Sequence, residues 1–396
     1  MALLSQEGSV IAFCDDARGG SLDEILQNAF LKANLWNHPQ HDLDSCLDRA
    51  ALLTQEGHSA HACPSSHSRK RIPLSNHGSI RSTFQTMNFS RILTLFLLQA
   101  ATAAVPQPAS PLDGIPNVVA KGEVVQLVKE GFVFTEGPVP TADGGIYFSD
   151  LLTSDRIHRL APTGEITVLR EQANSAGGLA LNRTGELFAV ETNAKRITKF
   201  ASGKVTVLTE GSSERPLLAP NDLILDSKGG VYFTDPGPRP VVPGRIVYVY
   251  YLAPGAKQPV IIDDKIARPN GITVTADGKT LLVDDTVGET IFAYDIQTDG
   301  TVKNRRPFAQ LHDIPTGQNS GGDGMALDRD NRLYVASLTG VQIFDKTGRY
   351  LGTIPVPRQP SNVAFSGPDK KTLFITAREG VYKLRMLASG PNRPGK

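Results

Sequence analysis

Five oxygen-bearing side chains recur at one register in the later part of the chain. Glu136, Asn221, Asn270, Asp323 and Asn362 each stand seven residues before a polar turn, and Gly177 holds the equivalent place in a sixth copy. Carboxylate and amide oxygens, with no His or Cys recurring beside them, are the donors of a hard divalent cation: Ca2+, Mg2+ or Mn2+. Zn2+ is disfavoured by ligand type but not excluded. A cation held partly open can polarise a carbonyl and activate a water. Singly, each residue also reads as a turn former, because Asn and Asp brace bends with their own side chains. Seven or eight residues beyond the turns stand Asp150, Glu191, Asp235, Asp285, Ser337 and Ala377, read as acceptors behind the first set or as solvated rim charges. No G-x-S-x-G elbow, P-loop, dinucleotide fingerprint or H-E-x-x-H occurs.

The elements that must position these residues are six hairpins. Ala142-Asp143-Gly144-Gly145-Ile146-Tyr147-Phe148 is echoed by Arg183-Thr184-Gly185-Glu186-Leu187-Phe188 and by Ser227-Lys228-Gly229-Gly230-Val231-Tyr232. Ala276-Asp277-Gly278-Lys279-Thr280-Leu281-Leu282, Arg329-Asp330-Asn331-Arg332-Leu333-Tyr334 and Pro368-Asp369-Lys370-Lys371-Thr372-Leu373-Phe374 complete the set. Each is a polar turn followed by a β-branched and aromatic strand, the signature of a hairpin. Their centres at 147, 188, 232, 282, 334 and 374 have the spacing of propeller blades. Further alternating strands begin at Arg156, Arg196, Ile246, Ile291 and Val341. The expected fold is all-β, a six-bladed β-propeller over 121–390. The last repeat ends early, after Leu384, and 123–128 is expected to supply its missing outer strand and close the ring. In such a ring the first strand of each blade lines the central channel, so the five oxygens should face one axis.

Composition excludes several classes of function. The 396 residues carry 41 Lys and Arg against 40 Asp and Glu, so the basic footprint of a nucleic-acid binder is missing. All three cysteines, Trp36 and most histidines precede Met87, which marks a boundary. Residues 87–104 combine one positive charge, the apolar run Ile92–Leu98 and small residues in an A-x-A pattern. That is the pattern of a secretory signal peptide, with a buried helix as the alternative. The run is too short to span a bilayer, which needs about 20 residues. If translation starts at Met87 the protein is expected to be secreted, and 1–86 would be an over-extended gene model. If 1–86 are expressed, they read as a low-structure extension and export is open. Within them, His58, His61, Cys63 and His67 lack zinc-finger spacing, and Arg69-Lys70-Arg71 reads as a solvated charge cluster. Residues 105–120 read as a linker. The sequon Asn182-Arg183-Thr184 falls in the expected turn of the second blade.

Several ordered motifs then carry a resemblance. Thr135-Glu136-Gly137-Pro138, Pro220-Asn221-Asp222, Arg268-Pro269-Asn270-Gly271-Ile272, Gly322-Asp323-Gly324-Met325 and Pro360-Ser361-Asn362-Val363 resemble the blade-start motifs of one family. It is the regucalcin (senescence marker protein), gluconolactonase and luciferin-regenerating enzyme family, matched from about 120 to 386. The resemblance implies a lactone hydrolase with one divalent cation, commonly Ca2+ or Zn2+. It implies Glu136, Asn270 and Asp323 as cation ligands, Asn221 touching metal or substrate, Asp323 as the base, and Asn362 supporting substrate binding. Two departures stand out. Sugar-lactone-binding members often carry Arg where this chain has Ala219, and Asn-Gly-Leu where it has Gly177-Gly178-Leu179. Both remove polar groups from the mouth and favour a less polar lactone or ester over a polyhydroxylated one. The expectation is a monomeric hydrolase of a small-molecule lactone or ester. The alternative is a non-catalytic binding propeller whose metal only staples the channel. A strictosidine-synthase-like propeller is disfavoured, because that family generally lacks these oxygen ligands.

Overall fold

The computed structural model describes residues 110–242 and 244–392, and near the N-terminus a short antiparallel pair, Leu3–Leu4 with Val10–Ile11. The chain separates into two units, Met1–Leu97 and Leu98–Lys396. The signal-peptide-like segment 87–104 and the histidines of the extension lie outside the described residues. Among the described residues there is no helix long and apolar enough to cross a membrane.

The second unit is a six-bladed β-propeller of antiparallel four-stranded sheets. The inner strands, in order from blade 1 to blade 6, are Thr135–Pro140, Ala176–Leu181, Leu223–Leu225, Pro269–Val274, Met325–Leu327 and Asn362–Ser366. Each pairs with the strand that follows it, and the chain then steps outward through two more strands. Blade 6 has only three strands of its own. Its fourth is Gln126–Glu130 from the start of the unit, paired antiparallel with Gly380–Arg385. The ring closes as the sequence implied, with the closing strand slightly later than 123–128. The third strand of blade 3 is Tyr248–Leu252, also later than its expected start at Ile246.

The hairpin turns form for a local reason repeated around the ring. In each, an Asx carboxylate or amide oxygen accepts backbone N–H groups two or four residues ahead. Asp143 takes Gly145, Asn182 takes Thr184 and Glu186, Asp226 takes Lys228 and Gly230, and Asp277 takes Lys279. Asp328 takes Asp330 and Arg332, and Asp369 takes Lys371. This bridging competes with straight strand and fixes the bend. The sequon side chain of Asn182 is thus part of its own turn, its amide also donating to Glu186.

Between neighbouring blades lie six apolar clusters, one for each pair of adjacent sheets. The alternating strand pattern supplies them, since successive side chains face opposite blades. The cluster between blades 5 and 6 also takes in Leu112, Ile115, Val118 and Val119, so residues just before the ring belong to its core. Burial of this kind contributes about 25 cal/mol per Å2 of apolar surface and is the main force joining the blades.

At the axis the inner strands leave regular pairing. The register slips between Glu136 and Val139, between Ala176 and Leu179, and between Pro269 and Ile272. Bulges of this kind bend a strand and re-aim its side chains. In blades 3 and 5 the regular strand begins only after Asn221-Asp222 and Asp323-Gly324.

Blade 2 lacks an oxygen at the recurrent register, and the packing explains the glycine. A Cβ on Gly177 would sit 2.4 Å from the Asn221 carbonyl oxygen of blade 3. Gly177→Ala should therefore lower the unfolding free energy by about 1–3 kcal/mol, the usual cost of overpacking a tight interior. Denaturant melts of the wild type and variant measure it; an unchanged midpoint would mean that blades 2 and 3 do not approach this closely.

Candidate active site

The approach to the inner strand of blades 1, 3 and 4 is clasped by an acid at the end of the neighbouring strand. Asp150 accepts from the N–H groups of Val133 and Phe134, just before Glu136. Asp235 accepts from Leu218 and Ala219, just before Asn221, and Asp285 from Arg268, just before Asn270. These acids, read from sequence as acceptors or rim charges, are acceptors that set the height of the axial residues. Burial raises the Asp235 pKa, opposed by the two N–H donors. Glu191 of blade 2 is instead fully buried in an ion pair with Arg170 and Arg196.

Hydroxyls and amides then stitch one blade to the next around the channel. Ser149 donates to the Gly177 carbonyl, Thr234 to Asn270, Thr286 to Gly322 and Ser361 to Thr135. The Gly178 N–H meets the Asn221 carbonyl, and the Gly324 N–H meets that of Ser361. Backbone carbonyls at the axis are therefore used in holding the ring.

On that frame the candidate residues take distinct environments. Glu136 is 5% exposed; its Oε2 accepts from the Gly137 N–H at 2.6 Å and from Asn362 Nδ2 at 2.9 Å. The second of these bonds ties the last blade to the first. Asn362 also receives the Val363 N–H on its Oδ1, so both of its amide atoms hold protein groups. Asn270 is 4% exposed and donates from Nδ2 to Thr286 Oγ1 at 3.0 Å. Its Oδ1 is buried with no hydrogen-bond partner. Asn221 and Asp323 are half-buried, and Asp323 accepts from the Gly324 N–H at 3.1 Å.

The ionisable groups around Asp323 influence one another. Burial pushes the Asp323 carboxyl well above the usual carboxylate range, reinforced by Glu136 and Asp222 and opposed by Arg239 and Arg378. Asp284, fully buried, is raised well above its ordinary value by burial and then by Asp323, although its Oδ1 accepts the Gly271 N–H at 2.9 Å. Its Oδ2 has no hydrogen-bond partner. Arg268 is lowered to about 10 by burial and by Arg239, with Asp323 acting in the opposite sense. Burial is the leading cause in each case, and like charges in a confined space add to it.

Asp222, Asp284, Arg239, Arg268 and Arg378 therefore belong to the site although sequence reasoning missed them. Asp222 adjoins Asn221, and Asp284 occupies the extra residue of the longer fourth hairpin, a signal that was available. The arginines sit at unrelated positions and carry no periodic signal.

The donor set fits a hard cation. Two carboxylates, a half-buried amide and a buried amide oxygen without a partner are oxygen donors of the right type. A buried carbonyl oxygen left unsatisfied costs about 1–3 kcal/mol, and an ion at that point would remove the cost. No three His, Cys, Asp or Glu side chains among the described residues are grouped so that they could hold a metal ion by themselves. Amides are therefore needed to complete any coordination sphere at the axis.

Known proteins share both sequence and fold with this chain. Gluconolactonase of Zymomonas mobilis is 25% identical over 334 residues, covering 79% of this chain and 92% of its own. Lactonase drp35 of Staphylococcus saprophyticus is 26% identical, covering 68% and 84%. Among solved structures, a gluconolactonase from Xanthomonas campestris superposes with a TM-score of 0.61 at 28% identity, covering 71% of this chain and 98% of that one. Luciferin-regenerating enzyme, at 20% identity, covers 68% and 97% with a TM-score of 0.59 and shares the fold. A family model matches residues 134–379, from the first inner strand to the end of the second strand of blade 6, and the chain belongs to the SMP-30/gluconolactonase/LRE-like family.

Proposed function

We propose that the protein hydrolyses a lactone or related ester at the channel mouth, using a divalent cation held by Glu136, Asn221, Asn270 and Asp323. The observation that carries this is the buried, partnerless Oδ1 of Asn270, whose amide is linked through Thr286 to the Gly322 carbonyl, next to Asp323 in sequence. The names of the relatives, gluconolactonase and lactonase, support the reaction class. When bound, the cation supplies positive charge that polarises a carbonyl and makes nearby water more acidic. Ca2+ is the first ion to test, given the all-oxygen donors.

The side chains have separable tasks. Asp323 accepts a proton as water attacks the ring carbonyl carbon. It returns that proton to the ring oxygen as the carbonyl–oxygen bond of the ring breaks, leaving a hydroxy acid. Thr286 fixes the orientation of the Asn270 amide, and Asn362 fixes Glu136. Asn221, whose amide is half-buried, also meets substrate in this reading. Ala219 and Gly177 remove polar groups, while Val133, Leu152 and Val287 stand exposed on the connections at this mouth. That rim favours a substrate with few hydroxyls.

Treatment with chelator, or Glu136→Gln, should lower kcat/KM on a panel of γ- and δ-lactones by at least about 10²-fold, comparable with losing one transition-state charge donor. Ca2+ should restore the chelated enzyme but not the variant. Turnover indifferent to both would contradict the proposal, and a cation-dependent melting temperature without turnover would leave only a structural ion.

Cation binding should also release a proton, because the carboxyl of Asp323 holds its proton above the ordinary range and must give it up to become a ligand. Affinity should fall as pH drops through that raised pKa. Calorimetry in two buffers of different ionisation enthalpy measures the release, and Asp323→Asn should abolish it. Binding that neither exchanges protons nor weakens as pH is lowered would contradict this.

A further inference from the structure

Thr286 opens the connection 286–289 between the second and third strands of blade 4, and its hydroxyl joins two blades. It lies 2.7 Å from the carbonyl oxygen of Gly322, the residue before Asp323 in blade 5. On its other side it lies 3.0 Å from Nδ2 of Asn270, on the inner strand of its own blade. Thr286, Asn270 and Gly322 are all buried.

The single proton of this hydroxyl decides what the amide can do. A backbone carbonyl only accepts, so the Thr286 proton is committed to Gly322. Toward Asn270 the hydroxyl then presents a lone pair, which an amide meets with its N–H and not with its oxygen. The Asn270 oxygen is therefore turned away from Thr286, and it is the atom left buried without a hydrogen-bond partner. A flipped amide would set its oxygen 3.0 Å from a hydroxyl oxygen whose proton points elsewhere, so no hydrogen bond would form.

The carbonyl anchor is itself held. Ser320, fully buried, accepts the Gly322 N–H at 3.1 Å and donates to the Asp285 carbonyl at 3.0 Å. The Gly321 N–H meets the Thr286 carbonyl. Residues 285–286 and 320–322 are thus fastened to one another, and the backbone sets the direction of the hydroxyl. Blade 2 has the same fastening with no amide attached. Thr192 follows Glu191 as Thr286 follows Asp285, and it donates to the carbonyl of Pro220, the residue before Asn221, also at 2.7 Å. The axial residue of that blade is Gly177, where a Cβ would stand 3.7 Å from the Thr192 hydroxyl, so this threonine joins blades and orients no side chain.

We propose that Thr286 is a positioning residue that fixes the polarity of the Asn270 amide, so that an oxygen and not an NH2 group is offered to the cation. This rests on the cation site proposed above. It adds that the donor character of a blade 4 ligand is set from blade 5, the blade that carries Asp323.

The test is Ca2+ binding by calorimetry and needs no turnover. Thr286→Val keeps the shape, removes the hydroxyl and should weaken Ca2+ binding by at least about tenfold, the usual cost of losing a group that orients a metal ligand. Thr286→Ser keeps both bonds and should stay within about threefold of the wild type. Asn270→Asp makes the two ends of the side chain alike, so in that background Thr286→Val should change the affinity by less than about threefold. Thr192→Val removes the same fastening where no amide depends on it, and should also bind within about threefold of the wild type. Melting temperatures without Ca2+ report whether each variant folds, and Thr286→Ala repeats the comparison if valine overfills the site. Unchanged affinity in T286V, or a loss of the same size in the Asn270→Asp background or in T192V, would overturn the proposal, because the hydroxyl would then serve only to join blades. A wild type that takes up neither Ca2+ nor Mn2+ would defeat the cation reading itself, and this proposal with it.

Discussion

Like charges forced together at the axis of the ring are the constraint on which the rest of this molecule depends. Glu136 and Asp323 start inner strands in different blades, and the closed propeller leaves them no separate solvent to face. Burial, reinforced by the like charges of Glu136 and Asp222 on Asp323 and of Asp323 on Asp284, pushes those two carboxyls far above their ordinary range. Arginines on the mouth relieve part of it. The partnerless amide oxygen of Asn270 adds a further unmet demand for positive charge. The proposed divalent ion would answer both demands.

Holding such a cluster together takes more than apolar packing between blades. The ring is tied where it would otherwise spring open: Asn362 reaches Glu136 across 226 residues of sequence, and Ser361 reaches the Thr135 carbonyl beside it. Asp150, Asp235 and Asp285 fix the chain two or three residues before an axial side chain, through paired or single N–H donors. Positioning is thus done by backbone hydrogen bonds at short range, and the apolar clusters farther out supply cohesion. The division suits a binding centre, because rigid support of a few side chains preserves their geometry when charge changes.

What the sequence revealed follows from periodicity. Every hairpin repeats an Asx turn with the same local hydrogen bonds, so counting from the turn found Glu136, Asn270, Asp323 and Asn362 without any knowledge of the fold. The same counting found Asp150, Asp235 and Asp285 but could not say whether they faced solvent or clasped backbone. Gly177 broke the pattern for a reason invisible in one dimension, the approach of the Asn221 carbonyl. Arg239, Arg268 and Arg378 escaped because loops between strands follow no period. Asp284 escaped because a one-residue lengthening of its hairpin looked like noise in the count.

Anomalous diffraction from crystals soaked in Mn2+ or Ca2+ tests the central claim most directly. One ion should sit on the axis with oxygens of Glu136, Asn270 and Asp323 within about 2.0–2.6 Å, the range of hard-cation bonds to oxygen. An axis that stays empty at saturating ion, or an ion bound away from these three side chains, would contradict it.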